Sequence, residues 1–300
     1  MENLPFYIVD VFAEEKYAGN QLAVFRNAAH LSTQQMQRIA KEINFSETTF
    51  ILSEVPRDGG YEVRIFTPKQ ELPFAGHPTL GTAFVLQQEV IQQPVETVRL
   101  NLQVGQISVT VGYRDGAIDL LWMRQNPPVF GQKFAPETIA PILNLDPSDL
   151  DDRYPIQAVS TGLPFIIVPL KDRRSLQQAK TNQARLFDLI ATTEAQATLL
   201  FCPVEHPDYQ LSVRVFVDAM GIPEDPATGS ANGCLAGYLV EYGYFEGDRP
   251  VDIRVEQGSE IGRPSLLFLR AQKKPAQTLG ETIEVSVGGH VVAVARGEFL

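Results

Sequence analysis

The sequence predicts an α+β protein of two similar, pseudo-symmetric halves, each a curved, mixed or antiparallel sheet wrapped around a central helix. Three observations carry this expectation. Short β-rich runs recur along the whole chain, an apolar helix pattern appears once in each half, and a block of motifs is written twice. Segment 63–86, VRIFTPKQELPFAGHPTLGTAFVL, is echoed by 213–240, VRVFVDAMGIPEDPATGSANGCLAGYLV. Arg64 matches Arg214, Phe66 matches Phe216 and Pro73 matches Pro223, each at an offset of 214 − 64 = 150, half the chain. An internal repeat of this kind has to be recognised before any single motif is interpreted.

In order along the chain, YIVDVF (7–12) and LAVF (22–25) are strand-like. STQQMQRIAKEI (32–43) has helical spacing, with Ser32 as cap and Met36, Ile39, Ala40 and Ile43 on one face. TTFILSEV and YEVRIFT are further strands, and HPTLGTAFVLQQ begins a second helix with Pro in its first turn. RLNLQV, QISVTV and IDLLWM follow as strands. The second half repeats the order. STGLPFIIVPL answers KYAGNQLAVF, TTEAQATLLFC answers EINFSETTFIL, and VDIRVEQGSEIGRPSLLFL answers VRLNLQVGQISVTV, with Gly258 against Gly105. LFDLIA and SANGCLAGYLVEY supply its helices. The boundary is expected in the proline-rich RQNPPVFGQKFAPET, giving domains 1–125 and 126–300, with a terminal strand that can cross between them.

Composition narrows the function classes. A hydrophobic content of 44% over 300 residues supports a sizeable core without staples. A net charge of −11 with no basic run speaks against nucleic acid as partner. Asp10, Glu14 and Glu15 interrupt the place where a secretory signal would be apolar. No run approaches the roughly 18 apolar residues of a membrane span, so a cytoplasmic protein with no membrane partner is expected. The four His are scattered without ligand spacing, and no metal is expected. Cys202 and Cys234 lie in apolar runs as small fillers.

Residues shared by both copies are explained by scaffold, so chemistry is expected where the copies differ. At an offset of 150, Glu47 faces Ala197, His77 faces Ala227 and Asp225 faces Ala75. Three ionisable groups thus stand in or beside equivalent turns, each present once. Halves facing each other across a pseudo-two-fold axis would bring them to one cleft. The turns AGHPTLG and PATGSANG lead into helices through Gly and small hydroxyl residues, and unpaired first-turn amides hold a carboxylate. Gly76, Thr79, Thr228 and Gly229 are therefore the candidate substrate-binding residues. Structural roles are open as well: Glu47 as a strand-end acid, His77 as turn filler, Asp225 as an Asx-turn acid, Ser230 as a helix cap.

With NFSETTF, FAGHPTLGT, EDPATGSA and VGGHVVAVARGEF in place, the chain resembles the phenazine-biosynthesis (PhzF) family of isomerases over essentially its whole length. That family shares the two-domain fold of diaminopimelate epimerase. The resemblance implies an active site between the domains, no cofactor and a homodimer. It also implies Glu47 as acid/base residue, with His77, Asp225 and Ser230 completing the catalytic set. Diaminopimelate-type epimerases use one cysteine in each glycine turn; here neither turn has one. The expected activity is a cofactor-independent proton or double-bond shift on a small carboxylic acid. The alternatives are a non-thiol epimerase or racemase, and a non-catalytic small-acid binding protein.

Overall fold

A computed structural model describes residues 4–245, 249–275 and 281–300. The chain divides into two compact units, Met1–Met123 with Gly288–Leu300, and Arg124–Val287. Among the described residues no helix is long and apolar enough to cross a membrane.

In the first unit β1 (Leu4–Val11) pairs antiparallel with β2 (Asn20–Phe25). After α1 (Thr33–Ile43) the chain returns as β3 (Glu47–Ile51), parallel to β2, and then β4 (Tyr61–Phe66), antiparallel to β3. The short β5 (Glu71–Leu72) folds back on β4 and leads into α2 (Gly76–Leu86). β6 (Thr97–Leu102) runs parallel to β4 and continues into the antiparallel β7 (Gly105–Arg114) and β8 (Ala117–Arg124).

The second unit repeats this plan. β9 (Val129–Phe134) and the one-turn α3 (Pro136–Ile139) precede β10 (Ile156–Ser160), which lies antiparallel between β9 and β11 (Pro164–Pro169). α4 (Arg173–Gln178) and α5 (Gln183–Ile190) carry the chain to β12 (Ala197–Pro203), parallel to β11. β13 (Leu211–Val217) is antiparallel to β12, and β14 (Ile222–Asp225) folds back on β13 before α6 (Gly229–Glu241). β15 (Val251–Gln257) runs parallel to β13 and antiparallel to β16 (Ser265–Pro275). β17 (Glu281–Gly289) and β18 (Val291–Phe299) follow. β18 pairs antiparallel with β1 from Leu4↔Phe299 to Val11↔Val291, the place that β9 takes beside β10.

Each sheet curls around one helix. α2 packs against β1, β2, β3, β6 and β7, and α6 against β10, β11, β12, β15 and β16. A straight rod reaches strands from both ends of such a row only when the sheet bends about it. Both helices are apolar on every side, as burial on all sides requires. Close approach to α2 depends on Gly81, where a Cβ would lie 2.6 Å from Leu22. The outer faces are covered by the amphipathic helices. α1 closes a core of Phe25, Phe50 and Phe66, with Phe25 and Phe50 stacked at 5.2 Å. α1 starts after the Ser32 cap that the sequence suggests, and the structure adds a capping box in which Ser32 and Gln35 bond each other's backbone. α4 and α5 cover Leu200, Cys202 and Phe216.

The two copies do not keep one offset throughout. β3–β4 and β12–β13 share a register, Thr48↔Phe66 and Thr198↔Phe216, both 150 apart. Arg64 binds Glu71 at 2.6 Å and Arg214 binds Glu224 at 2.7 Å, so the glutamates are 224 − 71 = 153 apart. The central helices begin at Gly76 and Gly229, again 153 apart. The extra residues lie in the β13–β14 connection, which winds a 3₁₀ turn at Asp218–Met220. Glu47 does stand opposite Ala197, but the other expected pairings are corrected. His77 occupies the place of Ser230, Asp225 that of Leu72, and Pro73 that of Pro226. Each ionisable group is still present in one copy only.

Candidate active site

Glu47 opens β3, beside Leu22 of the parallel β2. His77 is the second residue of α2, held there because Gly76 starts the helix directly after β5 and Pro73. The two side chains meet, His77 Nε2 lying 3.5 Å from Glu47 Oε2, with the histidine buried and the glutamate partly so. Burial depresses the His77 pKa to about 3, against the opposing pull of a backbone hydrogen bond with Gln21. The imidazole is therefore neutral at pH 7.

In the second unit Asp225 ends β14 and is buried. Thr228 Oγ1 donates to Asp225 Oδ2 at 2.5 Å. Threonine is a good helix N-cap, yet the hydroxyl of this N-cap residue is turned to Asp225 and makes no cap bond to α6. α2 has no side-chain cap either, since its N-cap residue is Ala75. The first-turn amides of both central helices, at Gly76 and Gly229, thus lack a capping side chain. Ser230 is the second residue of α6 and half-buried. Thr79 is buried, and its hydroxyl donates back to Ala75 O at 2.7 Å.

Of the expected residues, Glu47 and His77 are brought together in the first unit, and Asp225 and Thr228 in the second. Several partners escaped the sequence reading. Gln257 and Asn232 bond the Asp225 turn, and Gln125 Nε2 donates to Gly229 O at 3.2 Å. The one available signal is that β15 ends in the polar Gln257 where β6 ends in the apolar Leu102.

The thiols are poorly placed for proton transfer. Both are fully buried, which raises Cys202 to about 12 and Cys234 to about 11.

A model of the phenazine biosynthesis-like protein family matches residues 9–297. The trans-2,3-dihydro-3-hydroxyanthranilate isomerase of Pseudomonas fluorescens is 35% identical over 293 residues, 97% of this chain and 98% of that protein. The crystal structure of a PhzF-family phenazine biosynthesis protein of Bacillus anthracis superposes with a TM-score of 0.89 at 27% identity, covering 100% of both chains. A hydroxyproline epimerase of Agrobacterium vitis shares the fold alone, at 12% identity and a TM-score of 0.62 over 99% of this chain and 92% of that one. Doubled helix-in-sheet units and these likenesses define an enzyme of the isomerase class with the pseudo-symmetric epimerase-like fold. The chain belongs to the phenazine biosynthesis-like (PhzF) family.

Proposed function

We propose that this isomerase works without a cofactor and shifts a proton, and with it a double bond, on a small carboxylic acid. The observation that carries the proposal is the Glu47–His77 pair, a partly buried carboxylate 3.5 Å from a buried, neutral imidazole. Glu47, His77, Asp225 and Ser230 act on one substrate. Its carboxylate is taken up by first-turn amides at Gly76 and Gly229, with Thr79 and Thr228 in the same turns. Ionised Glu47 removes a proton from a carbon next to an unsaturated system and returns it at another position, so that no redox partner is needed. Neutral His77, 3.5 Å from Glu47, can accept a hydrogen bond from the carboxyl group once Glu47 has taken up the substrate's proton. Asp225 and Ser230 hold the substrate's heteroatoms while charge develops on the dienolate. Buried, high-pKa thiols support carboxylate chemistry over a two-cysteine route.

The name of the 35% identical relative supports a cyclic, unsaturated amino or hydroxy acid as substrate class. The enzyme is taken to be a cytoplasmic homodimer, which light scattering checks. The central test is proton exchange in deuterated water with dihydro-3-hydroxyanthranilate and related cyclic acids. Glu47→Gln keeps the shape but cannot accept the proton, and turnover should fall by about 10²–10⁴-fold with binding retained. Near wild-type label incorporation in that variant would assign Glu47 a structural role. Stereochemical analysis of the product separates a double-bond shift from epimerisation.

A further inference from the structure

We infer that Gln257 is a positioning residue for Asp225, setting the direction of a hydrogen-bond chain that keeps this carboxylate ionised. The inference rests on Asp225 belonging to the proposed site. Gln257 ends β15 and is fully buried. Its amide makes four hydrogen bonds to the strand–turn–helix carrying Asp225. Oε1 accepts from Thr228 N at 3.2 Å and from Asn232 Nδ2 at 2.8 Å. Nε2 donates to Asp225 O at 2.8 Å and to Thr228 Oγ1 at 3.1 Å. A backbone N–H can only donate and a backbone carbonyl can only accept, so the amide has one possible orientation here.

That orientation decides where the Thr228 proton goes. A hydroxyl has a single proton, and against the Gln257 NH₂ group it must act as acceptor. The proton is therefore given to Asp225 Oδ2, at 2.5 Å. A hydrogen bond donated to a carboxylate favours its ionised form. Asp225 is thus held as a proton acceptor on the substrate's path, and not as an acid.

The comparison of the two copies shows that the fold itself does not require this chain. At the offset of 153, Asp225, Thr228 and Asn232 replace Leu72, Ala75 and Thr79, and the pairing of β15 with β13, matched to that of β6 with β4, sets Gln257 in the place of Leu102. The first copy builds the same strand, turn and helix with the apolar, buried Leu102 at that position, which can make none of these hydrogen bonds. The second copy is also drawn tighter. Ser265 Oγ donates to Pro226 O at 3.0 Å, and a Cβ on Gly258 would lie 2.5 Å from that oxygen. Nothing lies within 4 Å of the corresponding position on Gly105.

The test is a ¹³C carboxyl NMR titration of the full chain without substrate, the Asp225 signal being assigned by its loss in Asp225→Asn. The charged groups on elements packed against β14 and the turn are Arg214 with Glu224, Asp218, Glu256, Glu260 and Arg263, and all remain in every variant. Gln257→Met and Thr228→Val should each raise the Asp225 midpoint by about one pH unit. Thr228→Ser, which keeps the hydroxyl, should stay at the wild-type value. Gln257→Met should add nothing in the Thr228→Val background. A wild-type midpoint in Gln257→Met, or additive shifts in the double variant, overturns the inference. Should Gln257→Met not fold, an unchanged midpoint in Thr228→Val overturns it equally. Absence of proton exchange by the wild-type enzyme would remove the proposed function and leave this titration standing.

Discussion

His77 couples the site to folding, because a histidine buried neutral has to shed its proton to enter the folded state. Its folded pKa, about 3, lies below the ordinary value of 6.5. Below pH 6.5 the unfolded chain binds a proton that the folded chain does not, until the folded pKa is reached. The stability associated with His77 is therefore complete above pH 6.5 and declines as pH falls toward 3. Urea unfolding across this window should show a slope that His77→Asn reduces by one proton, and equal slopes would mean that His77 is not held neutral. Glu47, His77 and Asp225 were legible in the sequence as candidates because each breaks the internal repeat, and Ser230 through the family resemblance. Gln257 was not, since its partners lie 25 to 32 residues away and no local pattern joins them. The partners of His77 and Asp225 in the other copy were misjudged for a related reason. A constant offset cannot register a longer connection, and the 3₁₀ turn at Asp218–Met220 adds one just before the helix.

At the level of elements, the turns separating paired strands carry different loads in the two copies. Gly105 and Gly258 both have positive φ, +114° and +87°, so any side chain there is strained. Gly105→Ala meets nothing beyond that strain, on the order of 1–2 kcal/mol. Gly258→Ala adds contacts of 2.4 Å to Arg263 O and 2.5 Å to Pro226 O, both backbone atoms that cannot swing away. Thermal unfolding should therefore rank Gly258→Ala well below Gly105→Ala, and the reverse order would show that the β15–β16 turn yields. Helix α1 was readable from its Ser32 cap and one apolar face, while the answering bond from Gln35 was not read. The central helices were readable as the axes of curved sheets, because an apolar pattern on all sides requires burial among strands, but that pattern does not say which strands flank each helix.

For the molecule as a whole, the decisive connection is β18 beside β1. Removing Gly288–Leu300 deletes a full antiparallel partner of β1 and takes Phe299 away from Phe6 and Phe25. The loss should be comparable to the roughly 5–15 kcal/mol that holds a typical domain together. In hydrogen exchange, β1–β4 amides of a chain ending at Val287 should lose protection while those of β10–β13 keep it. Retained protection in β1 would show that β18 is dispensable. The same pairing imposes a schedule on biosynthesis. The unit spanning Arg124–Val287 is one unbroken stretch and can fold as it leaves the ribosome, whereas the unit begun first lacks an edge until residues 288–300 have been made. The earliest-synthesised half is therefore the last to close, and β1 waits with its hydrogen-bonding edge open through the translation of everything between.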